Sequence, residues 1–354
     1  MNLGSSFIKI LGSSASLGSQ NSHLPALDGV RALSIILVIL THTMPLGPAH
    51  WRLNSMAGPM GMSLFFCLSG FLIVSIIHRN PDPVSFLIRR IFRIFPAVAL
   101  YILIIIVLFG LPLNEAATFL FFVMNYFPVQ NGVFVPTSHL WSLAVEMHFY
   151  ILIGGLTFIF GRRAVWFVPA MAFCVTAFRI EAGVYVDIAT HLRADEIMAG
   201  GCLALVYIYQ RDRIRAALEN KAFAWALLFG VGGLWVVSCH PEGGAMNYAR
   251  PYLAATLVGV VIHSRMGLLH TALEGRISAY IARISYALYI YHPLMIFGWM
   301  NTGGDWTRYL LKRPVSFVLT WGAAHCSTYF WERPWQDLAK RLTKRHTSYF
   351  GKAT

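Results

Sequence analysis

Ionisable side chains occur inside apolar stretches of this sequence, and the first such pair is Arg31 and His42. Their stretch reads LDGVRALSIILVILTHT, and the two residues are eleven positions apart. Eleven residues make nearly three turns of an α-helix, so both side chains face one side, about 16 Å apart along the axis. A fixed cation and a titratable base on one face can bind an anion and accept a proton. Because charges inside a membrane are costly, the pair indicates a functional site more than two side chains that extend to the headgroups.

A second apolar stretch, SHLWSLAVEMHFY, carries His139 and Glu146 seven residues apart. Two helical turns separate them, which leaves them on one face at about 10 Å, too far apart to share a metal ion. A buried Glu146 needs a cation, a hydrogen-bond donor or a proton. We therefore expect a carboxylate that acts with groups on other helices, and no metal.

The segment FLIRRIFRIFP holds Arg89 and Arg93, which would be neighbours on a helix. Two guanidiniums at this spacing suit phosphate groups, which they bind through charge-assisted, bidentate hydrogen bonds. Alone, they would read as an ordinary positive loop of a membrane protein. Beside Arg31 and His42, they predict an anionic cofactor that enters from the cytosol.

Composition places these side chains in a membrane protein. Of the 354 residues, 57% are hydrophobic and 12% are charged, whereas a soluble domain has about 25% charged residues. The net charge is +13, and the basic residues fall between apolar runs, which favours membrane loops over nucleic-acid binding. The five cysteines form no C-x-x-C pair and are typical of packing residues.

The elements that position these residues are apolar runs long enough, or nearly so, to cross a bilayer. The runs are 27–46, 59–78, 94–112, 139–160, 164–180, 192–209, 222–239, 251–264, 284–300 and 314–331, with a shorter run at 117–127. The basic segments are 79–93, 161–163, 210–221, 265–283 and the end of the chain from Arg333. All of them face the cytoplasm if the short run does not cross fully.

We therefore predict an all-α, polytopic membrane helical bundle of about ten transmembrane helices plus one short re-entrant or interfacial segment. Both termini are expected in the cytoplasm, with 113–138 outside. The predicted domains are a mobile N-terminal tail at 1–22, a transmembrane domain at 23–335 and a basic cytoplasmic tail at 336–354. No phosphate-binding loop and no G-x-S-x-G elbow occurs, which disfavours a nucleotide-driven pump and a hydrolase.

In this order, the motifs resemble the acyltransferase 3 family of integral membrane acyltransferases. The matching pieces are LDGVRA…TH, FFCLSGFLI at 65–73, RRIFRIFP at 89–96, HLWSLAVEMHFY at 139–150, LRADEIMAGG at 192–201 and ISYALYIYHP at 284–293. The resemblance implies a stand-alone enzyme of the bacterial inner membrane that moves an acyl group, by default acetyl, from cytosolic acetyl-coenzyme A to a hydroxyl. It implies an acceptor on the outer face, either a cell-surface or lipid-linked carbohydrate or a macrolide-type small molecule.

The resemblance also implies roles for single residues. His42 takes the place of the catalytic base, Arg31 that of its paired cation and Glu146 that of an essential carboxylate, while Arg89 and Arg93 take the place that binds the donor phosphates. The pantetheine arm would then run along the first helix to His42, and Glu146 would orient His42 as a triad carboxylate does.

A donor for the oxyanion and contacts to the acceptor are sought among the remaining polar residues, Ser69, His139, Trp141, Tyr289 and His292. Direct transfer and a covalent acyl-enzyme both remain open. The expected partners are the carbohydrate, acyl-coenzyme A and membrane lipid, without nucleic acid or metal. The alternative class is a transporter or flippase that uses the intramembrane Arg, His and Glu as a substrate or proton path.

Overall fold

The computed structural model describes residues 24–127 and 136–350, and within these ranges all regular structure is helical. The predicted all-α class is therefore confirmed, whereas the predicted tail at 1–22 lies outside the described residues. The helices in chain order are α1 Pro25–Thr43, α2 Leu53–Arg79, α3 Pro83–Phe109, α4 Leu113–Leu120, α5 Trp141–Phe160, α6 Phe167–Glu181, α7 Asp195–Ala217, α8 Lys221–Cys239, α9 Arg250–His263, α10 Gly267–Leu273, α11 Arg276–Tyr291, α12 Arg313–Cys326 and α13 Arg333–Phe350.

Five helical segments of the described chain are long and apolar enough to cross a membrane, or six if the bent pair α9 and α10 forms one span. Each of the ten predicted runs overlaps a helix, but the number of crossings stays a prediction. Large apolar side chains stand exposed on these helices, among them Val107 and Phe158, which are 72% and 78% exposed. Such surfaces suit lipid and not water, so the molecule is a membrane protein.

Helix α3 begins earlier than the apolar run predicts. Pro83 occupies its first turn, and the side chain of Asp82 caps it by accepting a hydrogen bond from the backbone N–H of Ser85 at 3.0 Å. The segment of Arg89 and Arg93, predicted as a loop, is therefore the first half of a 27-residue helix. The helix ends at Gly110, whose φ of 67° gives the left-handed conformation typical of a helix C-terminus.

The span predicted at 284–300 is displaced. Its helix, α11, runs from Arg276 to Tyr291 and gives way to a 3₁₀ turn at His292–Ile296. Pro293 cannot continue the hydrogen-bond ladder of an α-helix, which explains the end. Polar residues in the first half of α11, such as Arg283, interrupt the apolar pattern, so the pattern does not reveal where the helix begins. The guanidinium of Arg283 donates to the hydroxyl of Tyr329 at 3.2 Å.

Helix α2 lies at the centre of the bundle and packs tightly against α7. A Cβ on Gly70 of α2 would stand 1.7 Å from the carbonyl oxygen of Ile197, and a Cβ on Gly200 of α7 would stand 2.0 Å from that of Cys67. Only glycine permits such an approach of two backbones, as in other membrane helix pairs. The crossing fixes the height of Ser69, the neighbour of Gly70, inside the bundle.

A buried ion network joins α6, α7 and α9. Arg179 pairs with Asp195, and the Nε of Arg250 donates to Glu196 at 2.7 Å, while Arg193 lies 3.3 Å from the same carboxylate. All five side chains are at most 2% exposed. Removing one member of such a network leaves an uncompensated buried charge, so these contacts hold the three helices together.

Two shorter segments also differ from simple spans. The run at 117–127 falls partly in α4, an eight-residue helix that cannot cross a bilayer alone. The basic segment predicted as a tail from 336 is helical as far as Phe350, in α13. This helix packs beside α3, where the Nε of Arg89 donates to the hydroxyl of Thr343 at 3.0 Å.

Candidate active site

One face of α1 lines three consecutive parts of the bundle interior. We call them the cation pocket, at Arg31; the apolar passage, at Ser34, Ile35 and Val38; and the histidine cluster, at His42. Steps of three and four residues along α1 connect the parts, so they lie on one side of this helix. The predicted shared face of Arg31 and His42 is therefore present.

The cation pocket is a cavity of about 30 Å³ between α1, α2, α3, α5 and α11. Arg31, Arg90 and Arg93 line it, with Glu146 as the single carboxylate. Its remaining lining residues are Phe65, Ser69, Leu72, Ile94, Tyr150, Ser285 and Tyr286. Three guanidiniums beside one carboxylate leave a positive balance, which suits an anionic group.

Glu146 is held in this pocket by two hydroxyl groups. Its Oε1 accepts a hydrogen bond from Ser69 at 2.6 Å and another from Tyr150, one turn further along α5. The guanidinium of Arg90 lies 5.7 Å from the centre of the Tyr150 ring. These contacts place Glu146 beside the arginines, whereas His139 lies in the 3₁₀ turn at Ser138–Leu140 that precedes α5.

The apolar passage continues from the cation pocket. It is a narrow cavity of about 10 Å³, lined by Ser34, Ile35, Val38, Met62, Phe65, Ser285 and Tyr289. Phe65 and Ser285 line both spaces, so the two are adjacent. The hydroxyl of Ser34 donates to the carbonyl of Gly61 at 2.8 Å, which leaves mainly apolar surface toward the passage.

The histidine cluster lies beyond Tyr289. The rings of His42 and His292 stack with centroids 5.4 Å apart, and His139 meets His292 edge-on at 5.2 Å. The Nδ1 of His292 donates to the carbonyl of Tyr289 at 2.7 Å, and the Nε2 of His139 donates to that of Ile290 at 3.1 Å. Both bonds fix the orientation of a fully or almost fully buried ring.

The structure separates the residues predicted for the site into two groups and leaves two of them outside. Arg31, Arg93, Ser69 and Glu146 meet in the cation pocket. His42, His139, His292 and Tyr289 meet at the other end.

Arg89 and Trp141 are the two predicted residues that belong to neither group. The side chain of Arg89 bonds to Thr343 on α13. Trp141 packs between Phe66, at 5.9 Å, and the guanidinium of Arg193, at 5.3 Å. The predicted pair of Arg89 and Arg93 is thus replaced in the pocket by Arg90 and Arg93.

The main residues that the sequence reasoning missed are Arg90 and Tyr150. The spacing of Arg90 and Arg93 is i, i+3, which also makes neighbours on a helix, but the Arg-Arg dipeptide does not say which side chain faces inward. Tyr150 follows Glu146 by four residues, and that spacing was a usable signal for a hydrogen-bond donor to the carboxylate. Within the described ranges, no three His, Cys, Asp or Glu side chains are arranged to hold a metal ion.

Comparison with known proteins identifies a family and several relatives. An acyltransferase domain family matches residues 24–331. The chain is 24% identical over 320 residues to "O-acetyltransferase OatA" of Staphylococcus aureus (strain NCTC 8325 / PS 47), covering 78% of this chain and 51% of that protein. It is 28% identical over 318 residues to "Putative peptidoglycan O-acetyltransferase YrhL" of Bacillus subtilis (strain 168), covering 77% and 49%.

The chain thus spans about half the length of these curated relatives. No solved structure matches it. The family match runs from the start of α1 into the π-helical segment Ser327–Glu332 that follows α12, and it includes the cation pocket, the apolar passage and the histidine cluster. The chain therefore belongs to the acyltransferase 3 family.

Proposed function

We propose that this protein transfers an acetyl group from acetyl-coenzyme A to a hydroxyl group of a cell-surface carbohydrate. The observation that carries the proposal is the sequence of three surroundings along α1: cationic, narrow and apolar, then imidazole-rich. A coenzyme A thioester has the same order, with phosphates at one end, a slender pantetheine arm and a reactive carbonyl. The length of α1 between Arg31 and His42, about 16 Å, separates the charge from the base.

The donor phosphates would bind to Arg31, Arg90 and Arg93. Arginine suits this task because its planar fork gives two parallel hydrogen bonds to phosphate oxygens. Glu146 would not contact the donor phosphates, since like charges repel. Its part is to fix Ser69 and Tyr150 at the wall of the pocket and to offset part of the charge of three half-buried arginines while the site is empty.

The transfer step would occur at the histidine cluster. An imidazole nitrogen of His42 accepts the proton of the acceptor hydroxyl as its oxygen attacks the thioester carbonyl carbon. The new C–O bond forms, the C–S bond breaks, and the proton passes from His42 to the departing thiolate. The acetyl ester and free coenzyme A are the products, so atoms and charge balance without a metal or a redox partner.

His139 and His292 would assist as hydrogen-bond acceptors, and they would not donate hydrogen bonds to the oxyanion. Each ring donates one N–H to a backbone carbonyl, at Ile290 and Tyr289, so in a neutral ring the other nitrogen carries a lone pair. Those second nitrogens are buried without a hydrogen-bond partner among the described residues. This favours a role in holding and polarising His42 over the oxyanion role considered for His139.

The relatives and the charge distribution support a choice of acceptor and of location. One relative is named for peptidoglycan, so a peptidoglycan hydroxyl is the first acceptor to test, ahead of other carbohydrates. The positive-inside rule puts the basic ends of the helices in the cytoplasm. We therefore propose a bacterial inner membrane location, with the cation pocket toward the cytoplasm and His42 toward the outside.

The decisive experiment measures equilibrium binding of radiolabelled acetyl-coenzyme A to the purified full chain. Wild type should bind saturably, and Arg90→Ala/Arg93→Ala should weaken binding at least about tenfold, since two charge-assisted contacts are lost. Arg89→Ala is the matched control, because Arg89 bonds to Thr343 outside the pocket. Equal binding by wild type and the double variant would refute the donor site, and no binding by folded wild type would favour a transporter.

A further inference from the structure

A second cationic site lies away from the cation pocket, at the helix ends near the start of α1. Two adjoining cavities of about 190 and 180 Å³ share Arg215, His263, Ser264 and Arg265. Arg211 completes the cation set of the first cavity, and Lys221 that of the second. We call the two together the basic cleft.

The basic cleft has an excess of positive charge that the chain itself does not neutralise. Its two acidic residues are Glu219 and Glu274, against the three arginines and Lys221. These four cations are exposed, and within the described chain none of them has a carboxylate oxygen within 4 Å, so they remain available to an anion from solution or from the membrane surface. Arg211 and Arg215 are four residues apart on α7 and so point to the same side.

A buried histidine in the wall gives a second, independent sign of a ligand. His263 ends α9 and is 7% exposed. Its Nδ1 lies 2.8 Å from the carbonyl of Gly259, to which it donates, while its Nε2 is buried with no hydrogen-bond partner in the described structure. Burying such a group costs free energy unless something bonds to it. Because Nδ1 carries the proton of the neutral ring, Nε2 is an acceptor, and a ligand hydroxyl in the cleft, such as the P–OH of a monoprotonated phosphate or the alcohol of a lipid headgroup, would satisfy it by donating a hydrogen bond.

Apolar side chains form another part of the wall of the cleft. Leu24, Val261 and Ile262 line the first cavity, and Leu218 and Met266 line the second. The cleft opens at the 102° bend between α9 and α10. Basic pockets between membrane helices at the cytoplasmic surface bind phosphate-bearing headgroups, since arginine pairs with phosphate oxygens and the acyl chains remain in the bilayer.

We propose that the basic cleft binds a phosphate group, carried by the headgroup of an anionic membrane lipid or by a soluble phosphate compound. This site does not depend on acyl transfer, and its arginines are different from those of the cation pocket. A bound phosphate would join α7 to the segment that follows α9, through Arg215 and Arg265. Its occupancy would therefore stabilise the packing of these two elements beside Leu24, the residue before α1.

The test compares the thermal unfolding midpoint of the detergent-purified full chain in two arms. One arm adds phosphatidylglycerol against phosphatidylcholine, and the other adds inorganic phosphate against chloride at equal ionic strength. The comparison uses wild type, Arg211→Gln/Arg215→Gln and, as the matched control, Arg213→Gln, whose guanidinium points away to Gln210 at 3.3 Å. If the double variant does not purify in a folded form, Arg215→Gln alone takes its place.

We expect stabilisation in at least one arm, with the half-saturating concentration raised about tenfold or more in the double variant and unchanged in the control. A response to lipid alone identifies a headgroup site, and a response to phosphate identifies a soluble ligand. No response in either arm overturns the proposal, and so does a response that the double variant retains. Acetyl-coenzyme A binding, measured on the same variants, should not change, which separates this result from the donor site.

Discussion

At the scale of single residues, the proposed chemistry depends on His42. Its ring is half-buried and stacked on His292. The apolar passage separates it from the cation pocket, and no arginine lines that passage. His42→Ala should lower the rate of acetyl transfer by about 10²- to 10⁴-fold, the usual contribution of a general base. Donor binding should stay at the wild-type level, because the phosphates bind at the other end of α1. The measurement is transfer of labelled acetyl to a carbohydrate acceptor beside equilibrium donor binding.

The control for this prediction is His50→Ala, which removes an exposed histidine from the turn that follows α1. It should transfer acetyl at the wild-type rate. A folded His42→Ala protein with near-normal transfer would exclude His42 as the base. A protein that instead lost donor binding would contradict the expectation that the donor binds at the other end of α1.

The sequence predicted much of the site at this scale because helical spacing is a strong constraint. The face shared by Arg31 and His42 follows from eleven residues at 3.6 per turn, and the structure has it. The choice of Arg90 over Arg89 does not follow from spacing. It depends on α13, where the hydroxyl of Thr343 accepts a hydrogen bond from Arg89. Because these two residues are more than 250 positions apart, their contact leaves no local pattern in the sequence.

At the scale of helices, the crossing of α2 and α7 positions the cation pocket. Gly70→Ala would put a methyl group about 1.7 Å from the Ile197 carbonyl oxygen, so the two helices must separate. Overpacking of this kind typically costs about 1–3 kcal/mol. We expect a lower thermal unfolding midpoint and weaker donor binding, because Ser69 and its bond to Glu146 move with α2. Both quantities can be measured on detergent-purified protein.

The matched control is Gly155→Ala on α5. A Cβ there meets nothing within 4 Å, and alanine favours a helix more than glycine does. This variant should be at least as stable as wild type. If Gly70→Ala were equally stable and bound the donor normally, the close approach of α2 and α7 would not be what positions the pocket.

Helix existence was predictable and helix limits were less so. Long apolar runs predicted α1, α2, α3 and α5, because a helix in a membrane presents apolar side chains to its neighbours or to lipid along most of its length. The start of α11 was hidden by Arg276 and Arg283, because a long side chain can reach a polar partner from within a helix. The partner of Arg283, Tyr329, lies on another element and is known only from the packing.

At the scale of the whole molecule, the helix ends form two groups. Leu24 lines one cleft with the ends of α7 and α9. At the other end, His240 after α8 approaches the carbonyl of Trp51 at 3.3 Å, and Glu242 lies 3.5 Å from Arg52. The basic segment 210–221 therefore shares an end with the start of α1, as the predicted orientation requires.

The predicted topology leaves the basic residues at 308–313 outside, where the positive-inside rule does not expect them, and the structure gives a reason for their presence. The Nζ of Lys312 donates to the carbonyl of Thr302 at 2.9 Å, and Arg313 donates to the carbonyl of Met295 at 2.7 Å. Both side chains are buried. Both charged groups bond to backbone carbonyls inside the fold. They are therefore weaker indicators of membrane orientation than basic residues exposed in loops.

The orientation can be tested by labelling introduced cysteines in intact cells with a membrane-impermeant maleimide. The background is Cys174→Ser/Cys326→Ser, because these two of the five cysteines are exposed. Glu242→Cys should react from outside, and Arg213→Cys should react only after the cells are opened. Each replaced side chain is exposed, and the surface ion pair of Glu242 contributes little to stability. The reverse pattern would put Arg31, Arg90 and Arg93 outside, where cytosolic acetyl-coenzyme A could not reach them, and would exclude the proposed direction of transfer.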